Sequence, residues 1–179
     1  MRYRTIHTLV CFLLLMAANI QADNLTQPVS LVPCPVSIVP GTGNFHFSEE
    51  TTFAVENEEQ AVEVRRFTAL LTRAAGFTPR IKVGNKKGDV CLTTDVGLKE
   101  EAYKLEITAK RINIHAADVQ GFFYALQSIR QLLPAAIEGG QVVTGIDWTV
   151  PADTITDHPR FGYRGLLVDV ARFFSPKEN

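Results

Sequence analysis

Between Tyr103 and Leu133 the hydrophobic period changes from two to that of a helix, which restricts the chain to folds where a sheet carries helices on a face. Tyr103, Leu105 and Ile107 alternate with Lys104, Glu106 and Thr108; after a turn at Ala109-Lys110-Arg111, Ile112, Ile114 and Ala116 alternate with Asn113 and His115. Alternation of this kind predicts a β-hairpin with one buried and one wet face. Asp118 then stands where a helix cap belongs. Phe122, Leu126, Ile129 and Leu133 form a single stripe behind it, which Pro134 ends.

A second helical stripe lies upstream, with Val64, Phe67, Leu71 and Ala74 at helical spacing and Leu70 widening it. Asn57 can cap it with Gln60 three residues on. Glu58 and Glu59 lie at the positive end of the dipole, and Gly76 provides a left-handed stop. Short strands are predicted at Asn44-Phe45-His46-Phe47, Thr52-Phe53-Ala54-Val55 and Asp89–Thr94, with turns at Gly41-Thr42-Gly43 and Lys86-Lys87-Gly88. Leu31 to Pro40 is apolar but holds three prolines, which suits an edge strand or a lead-in. Glu138-Gly139-Gly140 reads as a loop and Thr149 to Ile155 as a linking strand. Together these elements predict an α+β fold, an antiparallel-rich sheet with two helices on one face.

The first residues have the layout of a secretory signal peptide over residues 1–22: Arg2 and Arg4, an apolar block from Leu9 to Ala18, and cleavage near Ala22. The block is too short for a stable membrane span, where roughly 20 apolar residues are needed. Cys11 lacks the small-residue context of a lipid-modified cysteine. Export through the secretory pathway is therefore expected. Asn24-Leu25-Thr26 is a glycosylation sequon, and Cys34 and Cys91 fit either a bridge or two free thiols. A formal net charge of -1 without a basic run argues against a nucleic-acid partner.

The chain closes on Asp157-His158-Pro159-Arg160-Phe161-Gly162-Tyr163-Arg164-Gly165-Leu166-Leu167-Val168-Asp169-Val170-Ala171-Arg172-Phe173-Phe174. This reads as a buried strand carrying charge, which predicts that the sequence breaks off inside a domain. Burying Arg164, Asp169 and Arg172 among Leu166, Leu167, Val168 and Val170 is costly unless the charges are paired or bind something polar, so the tension points to a ligand site. Alternation puts Arg164, Leu166 and Val168 on one face and Gly165, Leu167 and Asp169 on the other. Spacing alone favours a structural Arg164 paired with Asp169 or another carboxylate, and a structural Asp169–Arg172 pair.

Two passages resemble glycoside hydrolase family 20, the β-N-acetylhexosaminidases. Tyr103–Ile107, Ile112–Ile114 and Gln120–Pro134 resemble the hairpin and helix of the non-catalytic α+β domain of these enzymes, and Asp157–Phe161 with Tyr163–Phe174 resembles the entry to the catalytic (β/α)8 barrel and its first strand. The resemblance implies a non-catalytic domain over 23–150, and over 151–179 a linker and the truncated start of the barrel. It also implies that Arg164 hydrogen-bonds hydroxyls of a terminal N-acetylhexosamine, a task suited to a guanidinium fork. Barrel sites gather at C-terminal strand ends, however, whereas Arg164 comes early in its run. Phe173 stands where the family commonly has histidine.

The implied reaction is substrate-assisted: the 2-acetamido oxygen attacks the anomeric carbon, a glutamate protonates the leaving oxygen, and the aspartate before it orients the acetamido group. No aspartate of this chain is followed by a glutamate. Glu49-Glu50, Glu58-Glu59 and Glu100-Glu101 are expected to be solvated. The chain therefore contains no catalytic residue and is predicted inactive alone. His46, His115 and His158 share no metal-ligand spacing, and no glycine-rich phosphate loop or activated nucleophile is present, so neither metal nor cofactor is assigned. The partner implied is a glycan with a terminal N-acetylhexosamine. Two other readings are a stand-alone secreted carbohydrate-binding or scaffold module, and the accessory domain of a different barrel glycosidase.

Overall fold

The computed structural model describes residues 30–167. The signal-peptide segment, Cys11, the Asn24 sequon, Asp169, Arg172 and Phe173 lie outside them. In chain order the elements are β1 (Ser37–His46), β2 (Thr52–Val55), α1 (Glu58–Ala75), β3 (Arg80–Val83), β4 (Val90–Thr94), β5 (Tyr103–Ile107), β6 (Ile112–Ala116), α2 (Val119–Leu132), a 3-10 turn (Ala135–Glu138) and β7 (Thr149–Asp157). The strands form one sheet in the order β1-β7-β5-β6-β4-β2-β3.

Local chemistry sets both helices. The Asn57 Oδ1 accepts the Gln60 N–H at 3.0 Å, and the Gln60 Oε1 accepts the Glu56 N–H at 2.8 Å, a capping box displaced by one residue. Gly76 ends α1 with its N–H on the Thr72 carbonyl at 3.1 Å. Asp118 caps α2 by accepting the Gly121 N–H at 2.8 Å. Ala61, Val64, Phe67 and Leu71 of α1 and Phe122, Ala125, Leu126 and Ile129 of α2 are buried, so each predicted stripe is the face turned to the sheet. A Cβ on Gly121 would stand 2.5 Å from the Ala102 carbonyl oxygen, so α2 approaches β5 and β6 more closely than any larger residue would allow.

The hairpin forms as the alternation predicts, with Leu105 opposite Ile114 and Ile107 opposite Ile112. Its apolar side joins a core in which Phe47, Phe53 and Phe67 lie 6.0–6.4 Å apart, within the range of aromatic pairs.

Four features depart from expectation. The sheet is evenly mixed rather than antiparallel-rich, because β6–β4, β4–β2 and β2–β3 run parallel while β1–β7, β7–β5 and β5–β6 run antiparallel. One parallel partner, β3, is an edge strand too short and too exposed to register as a hydrophobic pattern. Gly41-Thr42-Gly43 does not end a strand. It makes a bulge inside β1, between the pairs Pro40–Asp153 and Asn44–Pro151, with Gly43 at φ +90°.

The expected linking strand is the fourth departure: β7 lies inside the sheet between β1 and β5, with Val150, Ala152, Asp153 and Ile155 buried. Pro151 and Asp153 give this stretch the look of a linker, but Pro151 sits beside the bulge, where the ladder is interrupted and a missing N–H is tolerated. The sheet therefore runs on to Asp157, past the boundary expected after residue 150.

Candidate functional site

The site is built from the ends of β5 and β7. Beyond Asp157 the chain runs without regular secondary structure to residue 167, and its Arg164 side chain reaches Tyr124 of α2. On the other side, Leu31 is buried, and the Gln131 side-chain amide both accepts the Val32 N–H at 2.9 Å and donates to the Val32 carbonyl at 3.0 Å, tying the lead-in to the same helix. Between these walls is a groove of about 440 Å³ into which Arg164, Glu101, Tyr124, Asp157, Gln127 and Cys34 all face.

Arg164 is the organising group. Its Nη1 donates to the Phe161 carbonyl at 2.7 Å, and its Nη2 donates both to the Glu101 carboxylate and to the Tyr124 hydroxyl, the latter at 3.3 Å. The Glu101 bond, helped by Tyr124 and opposed by lost solvation, raises the guanidinium pKa above its ordinary value. Both partners are partly wet, at 44% and 31% side-chain exposure, so the ion pair adds little to stability.

Glu101 is itself held. Among the described residues it is the non-glycine residue found at positive φ, 60°, and its N–H donates to Asp118 Oδ2 at 2.7 Å. The cap of α2 thus also fixes the backbone that presents this carboxylate. Under the groove, the Tyr103 hydroxyl pairs with Ser128 Oγ at 2.6 Å. Burial, reinforced by the Asp157 charge and opposed by the Ser128 bond, pushes the Tyr103 pKa up to about 12, so the phenol is a neutral hydrogen-bonding group of the floor.

The expected buried strand is not formed among the described residues. Phe161, Tyr163, Leu166 and Leu167 are 70%, 89%, 88% and 93% exposed. A parallel barrel strand needs neighbours to satisfy its backbone, and residues 158–167 pair with no strand among the described residues. Arg164 is therefore placed by the α+β layer, while Asp169 and Arg172 fall outside the described residues. Glu100-Glu101 reads as a solvated pair in sequence, and Glu101 departs from this because its left-handed backbone turns the carboxylate into the groove. The Asp118 cap was visible in the sequence; its second bond, to Glu101, was not. Neither cysteine is bridged: Cys34 is exposed on the groove and Cys91 is buried in β4.

A larger hollow of about 650 Å³ lies where the two helices begin, but its Asn57, Gln60 and Asp118 are already occupied in capping. Among the described residues no helix is long and apolar enough to cross a membrane.

Residues 28–158 match the family described as glycosyl hydrolase family 20, domain 2. The chain belongs to this family. Among its relatives, the beta-hexosaminidase of Porphyromonas gingivalis is 30% identical over 94% of this chain and 23% of that protein. The beta-N-acetylhexosaminidase of Cellulomonas fimi is 31% identical over 82% of this chain and 29% of its own length. The Streptomyces plicatus N-acetyl-beta-hexosaminidase, solved in complex with Thio-NAglucal, superposes with a TM-score of 0.72 and 30% identity, over 80% of this chain and 29% of that one. This family 20 chain thus spans less than a third of the length of these proteins. The matched stretch ends one residue past β7, which puts the whole sheet inside the domain and leaves Arg164 just beyond it.

Proposed function

We propose that this chain is the N-terminal part of an exported exo-β-N-acetylhexosaminidase that removes terminal GlcNAc or GalNAc from glycans by substrate-assisted, retaining catalysis. The observation that carries this reading is the family match across the entire sheet and both helices, residues 28–158. In the proposed reaction the 2-acetamido oxygen of the bound sugar is the nucleophile. It is effective because its encounter entropy is already lost on binding. The carboxylates that orient it and protonate the leaving oxygen would come from polypeptide beyond this chain, which has no adjacent Asp-Glu pair. The acid among them needs a raised pKa to hold its proton near neutrality. Arg164 would hold hydroxyls of the terminal sugar.

A binding-module reading finds less support. The strands' own aromatic residues, Phe45, Phe53 and Tyr103, are all buried, so the open sheet face offers no aromatic platform for a sugar ring. The test is hydrolysis of an aryl N-acetyl-β-glucosaminide. Residues 23–179 alone should give no turnover, and the polypeptide continued through a barrel should give it. Turnover by the short piece, or none by the long one, would contradict the proposal.

A further inference from the structure

We propose that the α+β layer, called non-catalytic in this family, positions the substrate-binding arginine: Glu101 and Tyr124 are positioning residues for Arg164. The inference rests on the sugar-contact reading of Arg164 and adds to it the groups that aim the side chain. Arg164 lies seven residues past the end of β7, so it can reach at most about 25 Å from that strand end. A sugar bound by Arg164 therefore lies within that reach, plus the length of the arginine side chain, of the strand end that borders the groove beside α2.

Within that reach the layer has two groups matched to a guanidinium, a carboxylate and a phenol hydroxyl, and both meet the same nitrogen, Nη2. With Phe161 on Nη1, three of the five N–H donors of the side chain are taken. The Nε–H and the second Nη1–H remain for hydroxyl groups of a ligand. The anchor is rigid on its far side. Glu101 occupies a left-handed conformation that L-residues avoid, and Asp118 holds it there through the Glu101 N–H while the other Asp118 oxygen caps α2. Orientation thus runs from the start of α2 through Glu101 to the arginine. Tyr124, on the same helix and packed edge-on against Phe123 with ring centroids 5.5 Å apart, adds a second fixed point.

The experiment is a double-mutant cycle in the enzyme where this chain continues into its barrel, with an aryl N-acetyl-β-glucosaminide as substrate. Glu101→Gln should raise KM about five- to tenfold, leave kcat within about twofold, and leave the melting temperature unchanged, because an arginine no longer aimed binds the sugar less well before and during reaction alike. Tyr124→Phe should do the same more weakly. In the Arg164→Ala background neither change should add to the loss. Additive losses, or a Glu101→Gln enzyme with unaltered KM beside a crippled Arg164→Ala enzyme, would overturn the positioning role alone. An Arg164→Ala enzyme with full activity would overturn the sugar-contact reading and the positioning role with it.

Discussion

Residues 30–157 and residues 158–167 are both rich in apolar side chains, yet the first stretch buries Phe53, Leu105 and Ile155 completely while the second leaves Leu167 93% exposed. Composition does not separate them. In the first stretch each strand finds a neighbour and each helix a sheet face within the same chain, whereas in the second the apolar run meets no partner among the described residues. The arginine in it is held by the Glu101 carboxylate and the Tyr124 hydroxyl of the other stretch and by the Phe161 carbonyl of its own. A hydrophobic pattern therefore states a demand for burial without saying who meets it.

The comparison breaks first where the layer is densest. Phe122 is 1% exposed, at the first buried turn of α2, and Phe122→Ala should lower unfolding free energy by about 3–5 kcal/mol in urea titrations, since a large cavity cannot close against a sheet. Gly121→Val should also destabilise, by about 1–3 kcal/mol or more, because the added carbons would have to displace the Ala102 carbonyl. If either left the midpoint unchanged, the layer would not be the self-sufficient partner in the comparison.

Asp118 joins the two regions, which makes its removal informative. Asp118→Ala strips the cap from α2 and the anchor from Glu101, and should cost about 1–2 kcal/mol in thermal or urea unfolding. Asp118→Asn keeps one oxygen for the cap but sets an amide NH2 against the Glu101 N–H, so it should recover only part of the loss. Equal losses for both would show that the cap oxygen kept by Asn contributes nothing, and that the loss lies in the Glu101 contact and the charge.

How much of this was legible follows from the range of each interaction. Asn57 with Gln60, Asp118 with Gly121, and the alternation from Tyr103 to Ala116 act over a few residues, so their outcome could be read directly. The place of β7 could not. It pairs Ile155 with Ile38 and with Leu105, strands distant in sequence, and nothing in Thr149–Asp157 itself names those partners. The same holds for the groove. Arg164 stood out as a charge in an apolar run, but Glu101 looked like any solvated acid, since a positive φ at a glutamate and a contact 63 residues away leave no local pattern.

A smaller effect should appear with pH, at a place where the layer breaks its own rule. Asp153 is 3% exposed, and its Oδ2 has no partner among the described residues. Burial raises its pKa above 3.8, opposed only by a bond from the Gly41 backbone. The folded state then holds the Asp153 proton more tightly than the unfolded chain, so this residue's contribution to stability falls as pH rises from 3.8 through the raised value. Glu56 works the other way. Burial pushes its pKa up, but hydrogen bonds from the Thr94 hydroxyl and N–H, with Gln60 and Lys86, outweigh that and hold it below 4.5, so the stability it lends is present above 4.5 and lost as pH falls through the lowered value. Urea midpoints across acid to neutral pH should lose the descending component in Asp153→Asn and the ascending one in Glu56→Gln; unchanged profiles would place both carboxylates in ordinary solvent.

The smallest effect should come from the second region itself. Leu166→Ser and Leu167→Ser remove two apolar side chains that are 88% and 93% exposed, so in the 179-residue chain the unfolding free energy should shift by no more than about 0.5 kcal/mol. In the same chain continued into a barrel, the pair should instead cost several kcal/mol, as deletion of buried leucines does. A large loss in the short chain would mean that the run already has a partner within it. No loss in the long one would mean that the run never becomes a strand, and Arg164 would then owe its position to Glu101, Tyr124 and the Phe161 carbonyl.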